Sequence, residues 1–229
     1  MNYALVDSDI VCYRVGFASN NDDEAYALQA LDNFLTDLMC NEKLGKCLSF
    51  EFYLTGSENF RKEIAITKPY KGNRKGKDKP KHLSALRLRL VDVWGATISD
   101  GCEADDLLSI RQVALGDDSV IVSLDKDLDM VEGWHYNFVR DELYYIDPQQ
   151  GMYNFYKQLL TGDSTDNIQG VFRCGPKKAE AALADCNTEQ DYWDVCLEMH
   201  DSYDRALEDA RLLWMQTTEG ELWLPPNER

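Results

Sequence analysis

Three carboxylates lie close together where a loop is predicted to lead into a helix. Glu103, Asp105 and Asp106 follow Gly101 directly and precede an apolar run that begins at Leu107. Acidic side chains at a helix N-terminus face the positive end of the helix dipole, so the group could simply cap the helix. The same oxygen atoms could instead bind a hard divalent cation. Whether the group is a helix cap or a metal site depends on the strands and helices that position it.

Other acidic residues stand directly after apolar segments that are predicted to be buried strands. Asp7 follows the segment 3–6, and Asp125 and Asp127 follow the segment 119–123. Two further strands are predicted at residues 48–55 and 96–99, and a hairpin at 136–139 and 143–146. Helical spacing of apolar residues predicts helices at 24–41, 83–93, 104–115, from about 151, and over 188–218.

This alternation predicts an α/β fold with a central, mostly parallel, twisted sheet flanked by helices. We expect residues 1–150 to form the α/β core and residues 151–229 to form a helical region packed on it. Ligands of such sheets bind beyond the carboxyl ends of the strands. Asp7, the group at 103–106, and Asp125 with Asp127 should therefore meet at one edge, which favours a metal site over a cap.

Composition narrows the class of protein. The chain has 229 residues, of which 44% are hydrophobic and 28% are charged, as is typical of soluble globular proteins. The sequence contains no apolar run of the ~18 residues that span a membrane, so we expect no membrane partner. Seven cysteines without a C-x-x-C pair and three scattered histidines argue against disulfides and zinc, and favour the cytoplasm.

Charge is distributed very unevenly along the chain. The net charge is −17, yet residues 61–89 contain eleven lysines and arginines and only two acids. This window therefore carries +9, and the remainder carries −26. Such asymmetry indicates a basic binding element on an acidic body, although a solvated loop is the simpler alternative.

Five short motifs resemble, in type and in order, those of the 5′-nuclease superfamily. They occupy residues 5–14, 70–74, 101–106, 123–128 and 162–168. This family includes flap endonucleases, the 5′-nuclease domain of bacterial DNA polymerase I and bacteriophage 5′→3′ exonucleases. The resemblance covers roughly residues 3–185 and implies a PIN/5′-nuclease-like fold.

The resemblance implies a site for two Mg²⁺ or Mn²⁺ ions that assist phosphodiester hydrolysis. The motifs supply eight carboxylates as expected metal ligands, namely Asp7, Glu103, Asp105, Asp106, Asp125, Asp127, Asp163 and Asp166. One expected partner is missing, because the family has an aspartate at the end of the second strand where this chain has Thr55. Thr55 could orient a metal-bound water, or Glu58 could reach into the site.

The basic segment resembles the family's arch, at about residues 57–83, through which single-stranded 5′ ends pass. Lys71 and Arg74 match the cations that stabilise the scissile phosphate. Tyr70 is either a platform for a flipped base or a satisfied aromatic at a helix start. Further backbone affinity is expected from Arg14, Lys75, Lys77, Lys79 and Lys81.

A second DNA contact is expected from a segment that resembles the family's helix–two-turn–helix element, at about residues 159–185. Glycine turns at Gly170 and Gly175 would let the backbone approach duplex phosphate, with carbonyl oxygens available to a K⁺ ion. Lys177 and Lys178 would add charge there. Such contacts predict selectivity for DNA structure rather than for base sequence.

The predicted function is a metal-dependent 5′→3′ exonuclease and flap endonuclease acting on DNA, and on RNA within RNA–DNA hybrids. The chain length resembles that of stand-alone bacteriophage enzymes of DNA replication, which implies a monomer in the host cytoplasm. Two alternatives stay open. One is an RNA-directed, PIN-like ribonuclease, and the other is a DNA-structure-binding protein that has lost catalysis.

Overall fold

One six-stranded sheet runs through the computed structural model, which describes residues 1–74 and 76–229. The strands lie in the order β3-β2-β1-β4-β5-β6. Their bounds are β1 Tyr3–Asp7, β2 Ser49–Leu54, β3 Thr97–Ile98, β4 Ser119–Val122, β5 Gly133–Asn137 and β6 Glu142–Ile146. The first five pair in parallel and β6 pairs antiparallel with β5. The predicted α/β fold class is confirmed.

The helices connect the strands and then continue beyond the sheet. They are α1 Ser8–Ala18, α2 Glu24–Met39, α3 Arg61–Ile64, α4 Leu83–Asp92, α5 Ala104–Leu115, α6 Pro148–Thr161, α7 Pro176–Ala182, α8 Glu189–Met199 and α9 Tyr203–Leu213. Within the described ranges, none of the helices combines the length and the apolar character that a membrane crossing requires.

The predicted helices are observed with somewhat different bounds, whereas α1 and α3 were not predicted. α6 begins at Pro148 instead of about 151, because Asp147 accepts a hydrogen bond from the backbone N–H of Gln150 at 2.8 Å. Proline suits the first helical position because its missing N–H would have no partner there. The predicted helical stretch 188–218 is two helices, since Ser202 caps α9 after a break at 200–202.

Two apolar cores cover the two faces of the sheet. Ala4 and Val6 of β1 point into a core shared with α1, α2 and α4, whereas Leu5 points into the other core. This alternation follows from the period of two along a strand. The second core continues from Leu5 and α5 into α6, α8 and α9, so the helical region shares its interior with the sheet.

Candidate active site

A cleft of about 880 Å³ opens where the carboxyl ends of the parallel strands meet. Asp7 ends β1, Glu103 and Asp105 stand at the start of α5, and Asp125 follows β4. All four carboxylates line this cleft. The predicted meeting of acidic residues at one edge of the sheet is therefore observed for these four.

Asp7 is fixed by the strand end on which it stands. Its Oδ1 accepts a hydrogen bond from the backbone N–H of Ile10 at 3.2 Å, and its Oδ2 accepts one from the Ser123 hydroxyl at 2.7 Å. Burial, as the largest cause, and the charges of Asp9 and Asp125 together raise the pKa of Asp7 to about 7, although the two hydrogen bonds lower it. The negative charge of Asp7 is thus costly unless a cation compensates it.

Asp105 carries the least compensated charge of the group. Among the described residues, no group donates a hydrogen bond to its carboxylate. Burial raises the pKa of Asp105 well above its usual range, and the charges of Asp7, Asp125 and Glu103 raise it further. A carboxylate in such surroundings either binds a proton or attracts a cation.

Asp127 and Asp163 extend the acidic group away from the main cleft. Burial raises the pKa of Asp127 to about 8, with Asp125 and Asp163 adding to the effect. Burial also disfavours the charge of Asp163, but hydrogen bonds from Asp127 and from Thr165 N–H, at 2.6 Å, lower the pKa of Asp163 overall. Asp127 also borders a smaller cleft of about 330 Å³.

The chemistry of these side chains fits a hard divalent cation. They present oxygen donors only, which suit Mg²⁺ or Mn²⁺ better than soft metals. Within residues 1–74 and 76–229, however, no three histidine, cysteine or acidic side chains are already gathered as a metal cluster.

Lys71 and Arg74, the predicted catalytic cations, form ion pairs with two of the predicted ligand carboxylates. Lys71 forms an ion pair with Glu103, and its Nζ lies 3.5 Å from Oδ2 of Asp166. Arg74 Nη2 lies 2.5 Å from Oδ1 of the same aspartate. Burial disfavours the charged form of Lys71, yet Glu103 and Asp166 raise its pKa overall. In this conformation the two cations neutralise Glu103 and Asp166.

Tyr70 is a buried side chain that positions two carboxylates, and it does not present a ring on which a base could stack. Its ring belongs to the core beneath the cleft and is 7% exposed. Its hydroxyl oxygen lies 2.8 Å from a carboxylate oxygen of Glu103 and 2.6 Å from one of Asp166, and its single hydrogen is donated to one of the two at a time. These contacts contradict the predicted stacking role of Tyr70 on a flipped base, because the ring has no open face. The alternative, a satisfied buried aromatic, agrees with its position.

Asp106 faces away from the cleft, which contradicts its predicted role as a metal ligand. Arg61 donates to both of its oxygens, at 2.6 and 2.8 Å. The backbone N–H groups of Gln216 and Glu103 donate to the same carboxylate, at 3.1 and 3.0 Å. Four donors occupy four acceptor positions, and both charged side chains are buried. The correction leaves seven predicted ligands.

The other predicted phosphate contacts lie in different settings. Arg14 is exposed on α1, outside the described residues that line the cleft, and Lys77 is exposed on the basic segment. Lys75 lies outside the described residues. Lys79 and Lys81 line the cleft, and so does Lys62, which the motif comparison did not single out.

The predicted helix–two-turn–helix element consists of α6, a turn over residues 162–175, and α7. Gly170 is buried against Gly162, where a side chain would come within 2.3 Å of the Gly162 nitrogen. Its φ of +60° also favours glycine. Gly170 therefore shapes the turn, and its predicted phosphate contact stays a prediction. Gly175 is open to solvent, as are Lys177 and Lys178 on α7.

Besides Lys62, sequence reasoning missed Asp9 and Arg87 at the cleft. Asp9 accepts a hydrogen bond from the backbone N–H of Thr55 at 2.7 Å and pairs with Arg87. The signal for Asp9 was its position two residues after Asp7, whereas Arg87 gave no distinctive signal, because α4 also carries Arg89 off its apolar face. Glu58, the expected substitute for the missing aspartate, is exposed and absent from the described lining of the cleft.

No protein-family model matches this chain. Solved structures do match it along most of its length. The zinc-bound 5′-exonuclease of bacteriophage T5 aligns with a TM-score of 0.70 at 18% identity, covering 93% of this chain and 89% of that one. The bacteriophage T5 flap endonuclease, in a pseudo-enzyme–product complex with DNA and metal ions, aligns with a TM-score of 0.66 at 20% identity, covering 93% and 86%.

A third similar structure is the catalytic core of Rad2 in complex with DNA substrate. It aligns with a TM-score of 0.54 at 17% identity, covering 84% of this chain and 64% of that one. These likenesses establish the fold. The resemblance to 5′-nucleases drawn from the five motifs is thereby confirmed at the level of the fold.

Proposed function

We propose that this protein is a metal-dependent 5′→3′ exonuclease and flap endonuclease that hydrolyses phosphodiester bonds in DNA. One observation carries the proposal. Carboxylates from β1, from the start of α5 and from the segment after β4 line one cleft together with Lys71 and Arg74. A cleft with both signs of charge can hold metal ions on one side and a phosphate on the other. The fold shared with the T5 enzymes supports this assignment.

Seven carboxylates would hold the ions, namely Asp7, Glu103, Asp105, Asp125, Asp127, Asp163 and Asp166. Bound Mg²⁺ or Mn²⁺ ions supply a water nucleophile at neutral pH and stabilise charge on the attacking and leaving oxygens. Two ions are proposed because the acidic residues extend from Asp105 to Asp163, over more positions than one ion can use.

Lys71 and Arg74 would exchange one anionic partner for another during the reaction. Both now pair with carboxylates, Lys71 with Glu103 and Arg74 with Asp166. When ions neutralise those carboxylates, the two cations become available to a phosphodiester. They would then stabilise the charge that develops on its oxygens. Tyr70 would help to keep Glu103 and Asp166 in place, because its hydroxyl lies within hydrogen-bond distance of both.

Affinity for DNA would come from phosphate contacts on two surfaces. Lys62, Lys79 and Lys81 line the cleft and would guide a single-stranded 5′ end. The exposed Lys177 and Lys178 would contact a duplex, with the carbonyl groups of the 162–175 turn available to K⁺. None of these groups is arranged to read base edges, so the substrate would be selected by its structure. RNA in RNA–DNA hybrids is included in the proposal for the same reason.

A comparison of labelled substrates in Mg²⁺ and in Mn²⁺ tests the proposal. We expect release of short 5′ products from a 5′-flap DNA and from a recessed duplex, slower release from an RNA–DNA hybrid, and little cleavage of single-stranded RNA. Cleavage of RNA alone would favour an RNA-directed nuclease. Flap binding without product in either metal would favour a binding protein that has lost catalysis, and both results would contradict the proposal.

Lys71→Ala should slow the chemical step about 10²-fold, because the phosphate loses a preorganised cation. Single-turnover cleavage of a flap separates this step from product release. Lys46→Ala, an exposed lysine outside the cleft, is the matched control and should cleave normally. A loss that appears only as weaker flap binding would reduce Lys71 to a positioning contact.

A further inference from the structure

The end of β2 reaches the cleft without a carboxylate of its own. β2 ends at Leu54, and the next residue, Thr55, lines the same cleft as Asp7 and Asp105. The Thr55 hydroxyl does not point freely into this space, because it accepts the backbone N–H of Ala104 at 3.0 Å. Thr55 therefore helps to fix the start of α5 and leaves the strand end without an anionic group.

A carboxylate from a different element occupies this place. Asp9, in the first turn of α1, accepts a hydrogen bond from the backbone N–H of Thr55 at 2.7 Å. It lines the same cleft as Asp7, Asp105 and Asp125. α1 does not need it as a cap, because Asp7 already accepts the N–H of Ile10. The carboxylate of Asp9 thus lies at the end of β2, where it is bonded to Thr55.

Arg87 binds to Asp9 and Thr55 but leaves Asp9 able to accept further hydrogen bonds or a cation. It pairs with Oδ1 of Asp9, and its Nη2 also donates to the Thr55 carbonyl at 2.6 Å. Among the residues that the structure describes, each oxygen of Asp9 has one donor, Arg87 on Oδ1 and Thr55 on Oδ2. A carboxylate oxygen accepts two hydrogen bonds, so each oxygen retains a free lone pair. The side chain of Asp9 is 24% exposed, so this capacity is accessible from the cleft.

We infer that Asp9 supplies the carboxylate that β2 lacks and helps to hold a divalent cation in the cleft, either directly or through a bound water. This inference rests on the proposed function and extends it to a residue outside the five motifs' acidic set. Arg87 is then a positioning residue. It orients Asp9 and offsets the repulsion between Asp9 and Asp7, which follow each other closely in the chain.

Binding of Mn²⁺ alone to the full chain tests the inference, measured by calorimetry and by the paramagnetic resonance signal of free Mn²⁺. Asp9→Asn should weaken one binding event about 10- to 100-fold, as expected when an oxygen that holds or orients a metal ligand is lost. Arg87→Gln should weaken Mn²⁺ binding clearly less than Asp9→Asn does, because it removes only a group that orients Asp9 and leaves the carboxylate itself in place. The double variant Asp9→Asn with Thr55→Asp should recover at least tenfold, because the charge returns to the same place.

Each outcome has a separate meaning. If the unmodified chain binds no Mn²⁺, the proposed function fails together with the inference. If it binds Mn²⁺ and Asp9→Asn binds equally well, only the inference fails. If Asp9→Asn and Arg87→Gln weaken binding alike, Asp9 is merely half of a structural ion pair, which also overturns the inference. Should Asp9→Asn fail to fold, Asp9→Glu must weaken Mn²⁺ binding severalfold, and unchanged affinity would count against the inference.

Discussion

Asp125→Asn should abolish cleavage of a 5′-flap substrate, by roughly 10³-fold or more, while the protein still binds the flap. Asp125 lines the cleft, and its charge raises the pKa values of Asp7, Asp105 and Asp127. An amide of the same shape keeps the local packing but removes the anionic ligand. Single-turnover cleavage and a binding titration in Ca²⁺ measure the two effects separately.

The same substitution should raise the melting temperature of the protein in EDTA. Burial raises the pKa of Asp125 above its usual range, and Asp166 and Asp163 raise it further, so its charge destabilises the folded state when no cation is present. Residues that serve function at the expense of stability commonly behave in this way. Added Mn²⁺ should raise the melting temperature of the unmodified protein more than that of the variant.

Asp37→Asn is the matched control, since Asp37 is exposed on α2. Its cleavage rate and melting temperature should equal those of the unmodified protein. If Asp125→Asn retains full turnover, Asp125 is not part of the active site. If it loses turnover and also becomes less stable in EDTA, its role is structural.

Asp106→Ala should lower the free energy of unfolding by about 3–5 kcal/mol, because it leaves the guanidinium of Arg61 buried and unpaired. Arg61 is 1% exposed, and its remaining partners are the carbonyl oxygens of Leu212 and Trp214, at 2.9 and 2.7 Å. Two carbonyls cannot replace a full negative charge. Urea unfolding of the purified chain in EDTA gives the measurement.

Two further variants separate the ion pair from other causes. Replacing both partners, with Arg61→Met and Asp106→Leu, should destabilise the fold less than Asp106→Ala alone, because no buried charge is left without a partner. Asp100→Ala, at an exposed position near the same helix, should have little effect. If Asp106→Ala remains stable but loses Mn²⁺ binding, Asp106 is a metal ligand after all.

The sequence predicted the fold well because the pattern that carries it is local. Apolar residues at helical spacing mark α2, α4 and α5, and continuous apolar runs mark β1 and β4, so each element could be found within its own window. The rule that ligands bind at the carboxyl edge of a parallel sheet then brought Asp7, Glu103 and Asp125 together without coordinates.

The direction of individual side chains could not be predicted in this way. Asp105 and Asp106 are neighbours of the same type in the same motif, yet one faces the cleft and the other faces Arg61. What distinguishes Asp106 from Asp105 is its partner Arg61, which lies 45 residues away in sequence. The role of Tyr70 was open for the same reason, because its exposure depends on packing against distant residues.

The network around Arg61 and Asp106 also sets a limit on when the chain can finish folding. Three separate parts of the chain must be present before this buried pair is fully bonded, since Leu212, Trp214 and Gln216 complete it. Contacts of such long sequence separation form late and slow folding. On the ribosome, the strands and α5 would emerge well before residues 212–216. During synthesis, the Arg61–Asp106 pair would therefore remain incompletely hydrogen-bonded until residues 212–216 have emerged.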